Sequence, residues 1–185
     1  MTYRSYPLFV FGFHGCDRSV AEKVLAGEED LQPSDNPYDW LGTGVYFWEN
    51  APERALQWAQ DQKKKEPYVV GAIIQLSYCF NLMDKGSALE LKRAYDEMSH
   101  VFKDTSEPLP ENKNKQNNLD ALIINTASSL AERRNKPYDA VRGAFIEGGE
   151  VFPGSAICGD THIQLCVRNR ECIQAYFRPK KVSRR

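Results

Sequence analysis

Apolar and polar positions along the chain fall into short blocks of two distinct periods, parted by polar turns rich in proline, glycine and asparagine. Tyr6–His14 (YPLFVFGFH) is dense in aromatic and β-branched residues and predicts a buried strand. Ser19–Glu22 fits a capping box, in which hydroxyl and carboxylate each satisfy an orphan backbone N–H, and it predicts a short helix stopping at Gly27. After the turn-rich Gln32–Pro37 comes a short strand at Gly44–Trp48. Asn50–Glu53 then opens a helix with Ala51, Ala55, Trp58 and Ala59 on one face, fading into Lys63–Lys65. Tyr68–Leu82 predicts a strand that carries Val70, Ala72, Ile74, Leu76 and Tyr78 on one side. Ser87 is the expected cap of a helix in which Leu91, Tyr95, Met98 and Phe102 recur at helical spacing.

Residues 104–118 are polar and proline-punctuated and predict an exposed loop rather than a linker between domains. A helix at Leu119–Arg134, a strand at Tyr138–Glu147, a Gly/Pro-rich stretch at 148–160 and a long strand pair around His162–Phe177 complete the pattern. No repeat is visible. The order predicts an α+β fold, a largely β core with helices packed outside it, formed as one domain over residues 1–185.

Composition narrows the class. A hydrophobic fraction of 42% and a charged fraction of 26% are ordinary for a globular chain. No apolar run approaches the roughly 18 residues of a membrane span, and the first residues lack the plan of a signal peptide. The five cysteines are scattered, with no CxxC pair to suggest zinc, so reduced thiols and a cytoplasmic location without a membrane partner are expected. Cys79 and Cys166 read as small core residues. The net charge of −1 hides an asymmetry: residues 1–66 hold seven Lys/Arg against eleven Asp/Glu, and residues 164–185 hold seven against one. The basic tail 178–185 is either a solvated end or a contact for an acidic partner.

Three segments carry candidate chemistry: Phe13-His14-Gly15 at a strand end, the glycine-hinged Gly42–Phe47 (GTGVYF), and Thr161–Asn169 (THIQLCVRN). In these blocks and their order the chain resembles the diphtheria-toxin-like ADP-ribosyltransferases, the group with a split His–Tyr–Glu triad that includes the poly-ADP-ribose polymerases. The resemblance spans roughly residues 8–60 and 138–178. It implies a mixed β-sheet core split around an NAD cleft with flanking helices, NAD as co-substrate and no metal. His14 would contact the adenine-side ribose, and the backbone of Gly15 the nicotinamide carboxamide. Gly44 belongs to the block whose Tyr46 would stack on nicotinamide, and the Arg54–Trp58 stretch would form a second wall of that slot.

The third motif departs from the family. Setting Val167 and Ile173 on the family's valine and isoleucine places Gln164 where a glutamate is expected. An amide orients a ribose hydroxyl but carries no charge and cannot act as a general base, so transfer of a single ADP-ribose unit is implied rather than chain growth. Three readings stay open: Gln164 is the native third residue, the carboxylate comes from Glu147 or Glu150, or the chain only binds NAD or ADP-ribose. His162 alternates with Gln164 on the same strand face. An RNA 2′-phosphotransferase of related core is a further alternative. More distantly the chain resembles bacterial transferases that act as toxins or phage-defence effectors, which implies an inhibitory antitoxin-like partner. The basic 164–185 stretch and Lys63–Lys65 make nucleic acid, RNA first, the expected acceptor, with protein the alternative.

Overall fold

The computed structural model describes the backbone of residues 5–114 and 116–180 and side chains from Leu8 on. The architecture is mixed α+β: a six-stranded sheet of both parallel and antiparallel pairs, a small hairpin, and four α-helices.

Strand β1 (Ser5–Asp17) pairs antiparallel with β3 (Pro67–Asn81) from Ser5↔Tyr78 to Asp17↔Pro67. The short β2 (Val45–Glu49) continues from β1 through Gly12↔Glu49 and Phe13↔Trp48. On its other side β2 pairs with β7 (His162–Val167), and β7 pairs with β6 (Ala140–Phe145). Strand β6 returns to the far end of β3 as a parallel neighbour, Cys79↔Ala140 to Asn81↔Arg142. The path β1–β2–β7–β6–β3–β1 is therefore a closed ring, with β8 (Ile173–Phe177) attached to β3 alone. The parallel β3–β6 pair demands a crossover, and the chain supplies it with two helices, α3 (Lys85–Thr105) and α4 (Asn118–Arg133).

Strand alternation sorts the side chains. All five ring strands contribute to one interior cluster, including Val10, Val45, Phe47, Val70, Ala72, Ile74, Leu76, Ala140, Leu165 and Val167, closed over by Ala21 and Val24 of α1 (Arg18–Leu25). The outward face of β6, β7 and the end of β3 is covered by α3 and α4, which bury Phe80, Val141 and Cys166 against Ile123, Ile124, Ala127 and Ala131. Helix α2 (Pro52–Asp61) covers Trp48 and Val69, with Ala55 and Ala59 fully buried.

Several expectations are corrected. The first helix is capped by Asp17, whose Oδ1 accepts the Ser19 N–H, so Ser19 lies inside α1 rather than at its cap. Ser87 is likewise inside α3; Asp84 stands at the N-cap, and the buried Ser87 hydroxyl donates to the Asn81 carbonyl. Tyr78 does not share a face with Leu76. Ser77 takes a left-handed φ of 47°, which resets the alternation and sends Tyr78 and Phe80 to the α4 side, stacked on Tyr138. The stretch 104–118 is not all loop, since β4 (Asn112–Lys113) and β5 (Gln116–Asn117) form a hairpin there. Strands β7 and β8 are not partners; a 3-10 turn at Arg170–Cys172 carries the chain across to β3. Of the basic tail, residues 181–185 lie outside the described residues. Among the described residues no helix is long and apolar enough to cross a membrane.

Candidate functional site

The middle motif is a turn that feeds a strand. Gly42 has φ 79°, and a Cβ there would stand 2.4 Å from Asn125 Oδ1; at Gly44 it would stand 2.5 Å from Cys166 Sγ and 2.7 Å from the Val167 carbonyl oxygen. The first glycine is needed for the backbone angle and the second for the close approach of β2 to β7. Tyr46 closes the same turn with its hydroxyl, which accepts the Leu41 N–H at 2.9 Å and donates to the Gly42 carbonyl at 2.7 Å. Burial of the ring against the α4-side core raises the phenol pKa well above its ordinary value.

His14 and Gly15 occupy opposite sides of β1, as neighbours on a strand must. The β1–β2 ladder stops at Phe13↔Trp48, and beyond it the His14 ring replaces the next rung: Nδ1 lies 2.8 Å from the Tyr46 carbonyl oxygen. A carbonyl only accepts, so Nδ1 carries the proton and Nε2 is left as an acceptor. The ring stands against Phe47 of the interior cluster, and desolvation lowers its pKa despite the carbonyl bond. Gly15 faces α2 instead, where a Cβ would meet the Ala55 carbonyl oxygen at 2.2 Å.

The third motif lies on the outward face, directly beside the second. Gln164 is opposite Trp48 in the β2–β7 register. Its Oε1 accepts the Trp40 indole N–H at 2.8 Å, and its Nε2 lies 2.9 Å from His162 Nε2. His162 is 8% exposed, between Phe145 and Trp48, with Nδ1 2.6 Å from the Asp160 carbonyl oxygen. Tilted aromatic pairs link Trp40 to Phe145, Phe145 to His162, His162 to Trp48 and Trp48 to Trp58. Arg54 reaches this cluster from α2, bound to Glu147 at 2.5 Å and Gln57 at 2.6 Å, with Asp160 at 3.9 Å. Two buried donors here have no hydrogen-bond partner, Trp48 Nε1 and Arg54 Nε.

Among the residues predicted from sequence, Tyr46, Gln164, Arg54, Trp58 and Gly15 therefore belong to the α2–α4 side of the sheet. His14 is on the ring's interior side, joined to the others through the Tyr46 carbonyl. Glu147 is committed to Arg54, and Glu150 accepts the Gly154 N–H within the 148–160 loop, so neither carboxylate bonds to Gln164 or His162. Trp40 and Trp48 were not expected in the site; Trp48 could have been found by counting two residues from Tyr46, whereas Trp40 sits in irregular backbone with no periodic signal. Cys79 and Cys166 are buried as expected, their thiols pushed up to about 12 by desolvation. Among the described residues no group of three or more His, Cys, Asp or Glu is placed to hold a metal ion.

No family model matches the chain, and no solved structure matches it. The uncharacterized protein MJ0359 of Methanocaldococcus jannaschii is 30% identical over 142 residues, covering 72% of this chain and 63% of that protein. The chain thus spans less than two thirds of that relative's length, and the likeness brings no activity with it.

Proposed function

We propose that the chain is an NAD-dependent mono-ADP-ribosyltransferase with the split-sheet fold of that class. One observation carries the reading: three motifs far apart in sequence lie on consecutive strands β1, β2 and β7, with His14 bonded to the Tyr46 carbonyl and Gln164 opposite Trp48. Nothing in their individual sequences requires this convergence.

The residues fit a dinucleotide. Two orphaned buried donors, Trp48 Nε1 and Arg54 Nε, and the amide of Gln164 lie on the same side of the sheet, and ribose hydroxyls, a carboxamide and phosphate oxygens would satisfy them. His14, Gly15, Gly44, Tyr46, Arg54, Trp58 and Gln164 are the residues assigned to holding NAD. NAD supplies an activated ribose whose bond to nicotinamide breaks through an oxocarbenium-like state, with nicotinamide departing as a neutral base. The chain's part is to bind and orient: Gln164, on the outward face, would fix a ribose hydroxyl without removing its proton, and His14, from the interior side, would hold the Tyr46 strand in place through its carbonyl bond. A neutral amide at this position limits the product to a single unit.

Nucleic acid, RNA first, is the proposed acceptor. The support is Lys63–Lys65 at the end of α2, where Lys64 Nζ lies 5.8 Å from the centre of the Trp58 ring. The 164–180 stretch contributes less than its charge suggests. Arg168 donates to Asn125, Arg170 lies 4.0 Å from Asp30, and β8 runs beside β3 away from Gln164. Incubation with adenylate-labelled NAD and total lysate, followed by separate nuclease and protease digestion, tests the reading. Nicotinamide release with nuclease-sensitive label is expected; protease-sensitive label moves the acceptor to protein. The neutral Gln164, with Glu147 tied to Arg54, favours one second reading, a binding-only NAD or ADP-ribose module. Calorimetric NAD binding without nicotinamide release would select it.

A further inference from the structure

We infer that His162 and Trp40 are positioning residues that lock the Gln164 amide in a single orientation, so that it always presents one N–H and one oxygen lone pair to a ribose hydroxyl. This rests on the assignment of Gln164 to NAD, and deepens it.

The lock follows from three donor–acceptor constraints. The Asp160 carbonyl can only accept, so His162 Nδ1, 2.6 Å away, carries a proton. In the neutral ring Nε2 then bears none and accepts. Gln164 Nε2, at 2.9 Å, is its donor. At the other end of the amide, the Trp40 indole only donates, and it meets Gln164 Oε1 at 2.8 Å. A side-chain amide is usually ambiguous between its two flipped forms. Here both neighbours select the same one. What remains uncommitted is the second amide N–H and the second lone pair of Oε1.

The arrangement holds only while His162 is neutral. Arg54 of α2 disfavours its protonation, while Glu147 and Asp160 favour it; β2 and β6 present Trp48 and Phe145 to the ring. Burial dominates and keeps the ring neutral below its ordinary value of 6.5. Once protonated, Nε2–H would face the amide N–H, donor against donor. Flipping the amide would relieve that end and set its NH2 against the Trp40 N–H. No orientation satisfies both neighbours, so Gln164 would lose its fixed aim on the acid side.

The test pairs kinetics with 15N NMR of the histidine rings. In wild type, His162 is expected as the Nδ1–H tautomer, and nicotinamide release is expected to show an acid limb below pH 6.5. Trp40→Phe and His162→Ala, each folded by circular dichroism, should lower kcat by about ten- to a hundredfold with KM little changed. His162→Ala should also remove the share of the acid limb that His162 contributes, leaving any share from His14. Gln164→Glu should convert His162 to the doubly protonated ring at neutral pH, because a carboxylate oxygen can only accept from it. An Nε2–H tautomer in wild type, or folded variants with the kcat and the acid limb of wild type unchanged, overturns the lock. Absence of nicotinamide release from wild type overturns the transferase reading instead, and the NMR arm still judges the lock.

Discussion

Gly15→Ala separates two reasons for a glycine at this position. If Gly15 is there only to let NAD approach, an added methyl group should leave the folded protein intact. The structure gives a different reason: the new Cβ would lie 2.2 Å from the Ala55 carbonyl oxygen, 3.1 Å from its carbon and 3.3 Å from Ala59 Cβ. That is about 1 Å or more inside an ordinary contact distance. The oxygen is helix backbone, so no rotamer change relieves it, and α2 must lift from β1. Overpacking of this kind costs about 1–3 kcal/mol. Against it stands a gain of about 0.4–1 kcal/mol from stiffening the unfolded chain, since Gly15 has no positive φ to forbid alanine. The net expectation is a loss of about 1–2 kcal/mol, which for a chain of this size lowers Tm by about 2–8 °C. Thermal and urea unfolding followed by circular dichroism measure it. Adding Ala55→Gly should give no rescue, because the clash is with the carbonyl and not the methyl. A Gly15→Ala protein as stable as wild type would refute the packing argument.

Tyr46→Phe should destabilise the fold by about 1–3 kcal/mol, by stripping partners from the Leu41 N–H and Gly42 carbonyl, and leave NAD affinity nearly intact. Tyr46→Ala should also cost about 1–3 kcal/mol of NAD binding by calorimetry. Arg142→Met removes both bonds, at 2.6 and 2.8 Å, from the mostly buried Glu49 carboxylate and should cost about 3 kcal/mol at neutral pH; a loss under about 1 kcal/mol would rank the pair with exposed ones. Because folding lowers the His14 pKa, the unfolded chain binds the extra proton first, so stability should be full above pH 6.5 and decline below it. A urea midpoint that stays flat through that range, or a decline unchanged in His14→Gln, would contradict this. Unrestrained expression should slow growth, and a co-expressed inhibitory partner should restore it; high-level expression of the wild-type chain without a growth defect speaks against a toxin-like role.

The fold was readable where side-chain period alone decides burial. Val70, Ala72, Ile74 and Leu76 alternate into the ring interior as their spacing requires. The alternation failed at Ser77 because a left-handed serine has no composition signal; its angle is set by tertiary contacts. Asp17 displaced Ser19 as a cap for a similar reason, since its carboxylate also accepts the Lys65 N–H at 3.0 Å, a contact made by a distant segment. In the site, Gln164 and His162 were placed on one face by their spacing of two. Trp40 was not, because it lies in an irregular loop closed by the bridge Ser34↔Gly44 and meets Gln164 only through the tertiary fold.

The ring has a consequence for how the molecule comes into being on the ribosome. Four of its strands are synthesised before β7, and until it is made β2 and β6 are linked only the long way round, through β1 and β3. Until residues beyond 161 emerge, both strands keep open edges, which invite pairing with other chains. A translation product halted before that point would hold His14 and Tyr46 but neither Gln164 nor a closed sheet. Premature termination should therefore yield an aggregation-prone fragment, and the ring should close only once β7 has been made.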